Sequence, residues 1–220
     1  VGGVVARDPA ARRLALQKTA FEVAWRINQG MPVTATALVT TVLLAMQGAG
    51  LTFGQIRLGL ADGMDYLESR SVPRTASARA LTGSAAVRAT LDALVAGGVV
   101  SYVAEGRDPV WLIGPEHQLA ATFYRNSLIH FLLDTALCEL AVLRAGESAF
   151  DPDEGSAPDP VDAFWDEIAR LRDLLKFEFY FNERDAHGRQ VAAEMTRHDP
   201  SWEARLRSGP VAADELLAGM

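Results

Sequence analysis

The stretch PEHQLAATFYRNSLIHFLLDTALCEL, from Pro115 to Leu140, constrains this chain more than any other. It reads as one long, mostly apolar helix opened by Pro-Glu, and a helix that is apolar around most of its circumference has to be buried against others. Thr122, Asn126, His130, Asp134 and Cys138 follow one another at four-residue intervals along it. That spacing sets them in a slowly drifting line on one helix surface. Side chains able to hydrogen-bond one another therefore run through an otherwise greasy rod. The expectation is a buried structural polar network of Tyr124, Asn126, His130 and Asp134, closed by neighbouring helices.

Apolar residues make up 49% of the 220 and charged residues 22%, a globular composition with enough chain to bury a core. A formal charge of −7 argues against a nucleic-acid surface and against simple attraction to anionic lipid. The single cysteine, Cys138, forbids an internal disulfide and sits among Leu137, Leu140 and Ala141, which favours a buried, inert thiol. The apolar run Thr34 to Met46 is too short to span a bilayer, and the Pro115–Leu140 stretch is interrupted by Arg125, His130, Asp134 and Glu139. The chain opens at Val1 without an initiator methionine, as an excised piece of something larger would.

The fold class expected is mainly α, a helical domain with a small winged-helix-like β-hairpin. Arg12 to Gln29 reads as an amphipathic helix that Gly30 and Pro32 stop. Thr34 to Gln47 is a nearly all-apolar second helix. Thr52 and Gln55 form a capping box for a third, with Ile56, Leu60, Met64 and Leu67 inward. Gly83 to Gly97 buries Val87, Leu91, Leu94 and Val95, and VVSYV and VWLI around EGRDP make a hairpin. An acidic, exposed loop is expected at 146–160, after which Asp159 and Pro160 open a last strong helix with Phe164, Trp165, Ile168 and Leu171 inward. The division expected is a winged-helix-like part at 1–114, a long-helix part at 115–182, and a tail of uncertain structure at 183–220.

Helix, helix, helix, hairpin is the order of a winged helix, which in DNA-reading form would place Gly83–Gly97 in the major groove. That helix offers Arg88 alone as a cation and carries Asp92. Across 48–115 the arginines 57, 70, 74, 79, 88 and 107 are matched by the acids 62, 65, 68, 92, 105 and 108. Phosphate neutralisation drives nucleic-acid affinity, so a charge-balanced module is a poor candidate. His130 and Asp134, at i and i+4, could pair to raise imidazole basicity, yet no placed nucleophile accompanies them. No HExxH, CxxC, Walker loop or GxGxxG occurs, so no catalytic, cofactor-binding or metal-binding residue is assigned. The aromatic cluster Phe177, Phe179, Tyr180 and Phe181 is most simply core, or else faces lipid or an acyl chain.

Four pieces carry a resemblance: AFEVAWRINQGMPVTATALVTTVLL (Ala20 to Leu44), the helix start at Thr52 to Arg57, TFYRNSLIHFLL (Thr122 to Leu133) and LLKFEFYF (Leu174 to Phe181). In this order and spacing they resemble the C-terminal region of the bacterial glycerol-3-phosphate 1-O-acyltransferases. The resemblance implies transfer of a fatty acyl group from acyl-CoA or acyl-carrier protein to glycerol 3-phosphate, at the start of phospholipid synthesis. That family acts through a His-x-x-x-x-Asp motif in a preceding domain. Here the residues five positions after the histidines are Thr122, Thr135, Ala192 and Glu203, and His130 to Asp134 is one residue short. The resemblance therefore implies a fragment lacking the active site and inactive alone. Its partner would be the missing N-terminal catalytic domain, with peripheral contact at the cytoplasmic face of the bacterial inner membrane. The alternative is a winged-helix interaction or regulatory module without enzymatic activity; a free-standing enzyme using His130 and Asp134 is a third reading.

Overall fold

A computed structural model describes residues 9–148 and 159–220, so the loop expected at 146–160 lies mostly outside the described residues. The first element is α1 (Pro9–Gly30), longer by a turn than its apolar spacing suggests. Contacts divide the chain into two compact units, one of residues 28–131 and one of residues 1–27 with 132–220.

The unit of residues 28–131 starts with α2 (Ala35–Ala45), capped by the Thr34 hydroxyl, which accepts from the Ala37 amide. After a turn comes β1 (Leu51–Thr52), then α3 (Phe53–Ser69). The Thr52–Gln55 capping box is present in both directions, and Ile56, Leu60, Met64 and Leu67 are the buried face, as their spacing requires. A single turn, α4 (Ala76–Arg79), leads into α5 (Ser84–Ala96), which buries Val87, Leu91 and Leu94. The chain reverses at Gly97–Gly98, where Gly98 takes φ +66°, a conformation a Cβ would strain. Strands β2 (Ser101–Val103) and β3 (Val110–Leu112) form the hairpin, and β1 adds to its far side in the antiparallel order β1-β3-β2. The winged-helix order is thus present, with a third strand that two residues were too short to announce. The last helix of this unit is α6 (Gln118–Asn126).

Helices α2 and α3 approach closely because glycine makes room. A Cβ at Gly59 would stand 2.9 Å from Cγ1 of Val42, and one at Gly63 would stand 3.2 Å from Cδ1 of Leu38. Two glycines four apart on α3 thus make the groove that receives two apolar side chains four apart on α2.

The second unit is organised on α7 (Leu133–Ser148), α8 (Pro160–Leu175), α9 (Arg184–His198), α10 (Trp202–Arg207) and α11 (Pro210–Ala218). Leu137, Cys138, Ala141, Val142 and Ala145 of α7 lie in one core with Phe164, Ile168 and Leu171 of α8. Val191, Met195, Trp202, Leu206, Ala213 and Leu216 complete it, so residues 183–220 form three helices packed into this core. Trp202 stacks at a tilt on Phe164, with ring centroids 4.9 Å apart, and meets Trp165 edge-on at 6.1 Å. Asp159 caps α8 by accepting from the Val161 amide, with Pro160 at the first turn. The Val161 amide and the Arg207 guanidinium, 2.9 Å away, hold the Asp159 carboxyl below its usual range.

Gly59→Ala is expected to destabilise the chain by about 1–3 kcal/mol, the cost of overpacking a close helix crossing. Gly54→Ala on the same helix meets nothing within 4 Å, and is expected to gain up to about 1 kcal/mol from helix propensity. Urea denaturation of the two variants checks both signs.

Candidate functional site

The long helix expected over Pro115–Leu140 is interrupted, and the polar line along it is broken with it. It consists of a 3-10 turn at Pro115–His117, then α6, a second 3-10 turn at Ile129–Phe131, and α7. The break is chemical. The Ser127 hydroxyl donates to the Tyr124 carbonyl at 2.7 Å, tightening the last turn of α6. Leu128 is turned into the core with 1% exposure. Once the helix stops, four-residue spacing no longer keeps side chains on one face.

The four network residues therefore go to separate places. Asn126 is exposed, and its Oδ1 accepts from Nη2 of its neighbour Arg125 at 3.1 Å. Tyr124 is half-buried and packs edge-on against Phe123. The Nε2–H of His130 donates to the carbonyl of Asn28 at 2.8 Å, across 102 residues. Its ring lies against Phe131, whose carbonyl accepts from the Tyr66 hydroxyl at 2.9 Å; the Arg70 guanidinium covers the Tyr66 ring. Burial holds the His130 imidazole below the usual 6.5, with the Asn28 carbonyl opposing in part. At neutral pH this ring is an uncharged donor committed to a backbone carbonyl.

Asp134 belongs to the other unit. Its Oδ1 lies 3.5 Å from the buried Nε2 of His187, a nitrogen that makes no hydrogen bond. His130 and Asp134 each have their own neighbour, the Asn28 carbonyl for one and the His187 imidazole for the other.

A second buried polar cluster was not foreseen. Glu194, 5% exposed, accepts from the Thr135 hydroxyl at 2.6 Å and also meets Arg197 and, at 3.2 Å, Nε2 of His198. Its signal was available as Glu194, Arg197 and His198 at i, i+3 and i+4. Cys138 is fully buried beside it on α7, with Sγ 4.0 Å from the Val191 carbonyl.

An open cleft of about 650 Å³ lies between α1 and the α8–α9 connection. Phe21, Trp25 and Phe181 give it apolar walls, while Lys18, Arg172 and Arg184 are matched by Glu22, Glu183 and Asp185. Arg172 donates to the Asn182 carbonyl at 2.9 Å; burial and the nearby Arg184 charge lower its pKa. The cleft has no nucleophile paired with a base, and its charges balance. Arg88, the one cation on α5, lies over the rings of Phe53 and Trp111, with its guanidinium carbon 4.4 and 4.7 Å from their centroids. It serves packing. Among the described residues no group of three or more histidine, cysteine or carboxylate side chains could hold a metal, and no helix is long and apolar enough to cross a membrane.

These features define a mainly helical region whose polar residues make their contacts within each of its two units. The chain matches the family described as the glycerol-3-phosphate acyltransferase C-terminal region over residues 4–210, and it belongs to that family. It is similar to proteins named "Putative acyltransferase plsB1" from Mycobacterium bovis and Mycobacterium tuberculosis, at 37% identity over 180 residues. The aligned part is 82% of this chain and 28% of each relative, so the chain spans little more than a quarter of the proteins it matches. The RIN and YRN segments by which the resemblance was read meet here, through the Asn28 carbonyl and His130.

His130→Ala is expected to cost about 1–3 kcal/mol at pH 7.5, the effect of losing a partly buried hydrogen bond and its packing. Because burial lowers the folded-state pKa, the unfolded chain binds the proton first. The His130 contribution is therefore full above 6.5 and is lost as pH falls toward the lowered folded value. Urea midpoints between pH 8 and pH 5 should fall less steeply for the variant than for the natural chain; parallel curves would remove His130 from the account.

Proposed function

We propose that this chain is the supporting C-terminal region of a glycerol-3-phosphate 1-O-acyltransferase and does none of the chemistry itself. In the whole enzyme an acyl group passes from acyl-CoA or acyl-carrier protein to the sn-1 hydroxyl of glycerol 3-phosphate, giving 1-acyl-glycerol 3-phosphate. The observation that carries this reading is the family match over residues 4–210. The sequence agrees with it: no histidine here has Asp five residues on, the spacing through which the resembling family acts.

The partner is the catalytic region of the same protein, which binds both substrates, and this region packs on it and supports its fold. The enzyme works at the cytoplasmic face of the bacterial inner membrane, held there peripherally. Tyr124, Asn126, His130 and Asp134 act as structural positions, each in its own local contact.

The purified 220-residue chain, given glycerol 3-phosphate and palmitoyl-CoA, is expected to form no lysophosphatidate by mass spectrometry. The whole polypeptide is expected to form it, at a rate at least about tenfold above the same polypeptide with this region deleted, a difference of about 1.4 kcal/mol in barrier. Product from the chain alone would overturn the proposal and return attention to His130 and Asp134.

A further inference from the structure

Helix α1 does not fit its surroundings. It runs for 22 residues, yet none of them is buried. Long helices in water owe most of their stability to packing of an apolar face, and α1 has two such faces. One carries Phe21 and Trp25 and lines the cleft, where Phe21 lies 5.9 Å from Tyr180, centroid to centroid. The other is Leu16, Ala20, Val23 and Ile27, spaced i, i+4, i+7 and i+11 on the opposite side of the helix. Leu16 is 62% exposed, Val23 50% and Ile27 61%.

We infer that this second face of α1 is the surface on which the catalytic region of the whole acyltransferase docks, an inference that rests on the function proposed above. The occupant is argued from three observations. First, α1 lies within residues 4–210, the part matched to a C-terminal region, while the matched relatives have nearly three quarters of their length outside the alignment. The family thus supplies a large body of protein that this region must meet. Second, the stripe suits a helix or sheet more than a lipid surface. Interfacial helices put aromatic rings at the headgroup level and line the apolar face with cations. Here Phe21 and Trp25 turn to the other side, Lys18 lines the cleft and Arg26 is held by Glu22 at 2.7 Å; of the cations on α1 only Arg12 and Arg13 border the stripe, both at its N-terminal end. Third, Ala20 sits in the middle of the stripe between larger aliphatic side chains. A small residue there leaves a shallow groove that admits the ridge of a packed element.

The test is thiol accessibility. Val23→Cys is introduced into the 220-residue chain and into the whole acyltransferase polypeptide, the latter purified in detergent and shown to make lysophosphatidate. Maleimide labelling at position 23 is followed by peptide mass spectrometry. In the 220-residue chain labelling is expected to be as fast as for a free thiol, because Val23 is half-exposed and the natural Cys138 is buried. In the whole polypeptide it is expected to be at least about tenfold slower, the protection a packed contact confers. Equally fast labelling in an active whole enzyme would overturn the docking face while leaving the proposed function standing. Protection that appears only on adding phospholipid vesicles would assign the face to the membrane and overturn the inference. Protection of the 220-residue chain alone that grows with its concentration would assign it to a second copy, with the same consequence. Loss of acyl transfer from the natural whole polypeptide would instead strike at the functional reading.

Discussion

One hydrogen bond closes the unit of residues 28–131. Asn28 is its first residue and His130 its last but one, and the imidazole of the second donates to the carbonyl of the first at 2.8 Å. The chain between them folds α2 to α6 and the three-stranded sheet, and both ends of that excursion are tied together here. Burial favours the neutral imidazole, so no charge has to be desolvated, and the carbonyl acceptor selects the tautomer with its proton on Nε2. Tyr66 adds a second tie from α3 to the Phe131 carbonyl, so the closing turn is held from two elements at once.

The same turn explains why a continuous apolar stretch does not become a continuous helix. A single helix through Ser127–Leu132 would carry Leu128 past the core it fills and would leave the Tyr124 carbonyl to its backbone partner alone. The Ser127 hydroxyl takes that carbonyl, the chain tightens into a 3-10 turn, and α7 restarts as the organising helix of the other unit. Asp134 and Thr135 stand in the first turn of α7, where His187 and Glu194 respectively receive them. A row of polar residues that looks like one network on paper is, in the fold, the end of one packing problem and the start of the next.

How much of this could be read beforehand follows the range of the interactions. Local signals were legible: the Thr52–Gln55 capping box, the Asp159–Pro160 helix start, the hairpin around EGRDP and the inward face of α3 are all written in neighbouring residues. The break after Asn126 was not, because apolar periodicity continues through it while the Ser127–Tyr124 hydrogen bond and the burial of Leu128 are settled in the fold. Residues 183–220 hid for another reason. The apolar positions of α9 to α11 are few, and they add up to a face only when α7 and α8 supply the rest of the core. The partners of His130 and Asp134 lie 102 and 53 residues away, a distance over which a sequence pattern carries no geometric information. The family resemblance, by contrast, rested on short ordered segments, and the match over residues 4–210 bears it out.

The segments that mark the family have physical work to do that needs no substrate. In RINQGMPVT, Asn28 offers its carbonyl to His130, Val33 exchanges hydrogen bonds with Pro73 and Thr75, and Thr34 caps α2. In YRNSLIH, Tyr124 offers the carbonyl that stops the helix, Leu128 anchors the core, and His130 makes the closing bond. Asn28, Val33 and His130 have partners far along the chain, while Thr34 and Tyr124 act on residues three positions away. The residue types that look most like chemistry in these two segments are the ones that hold the helix ends and the closing turn of the unit of residues 28–131 in place.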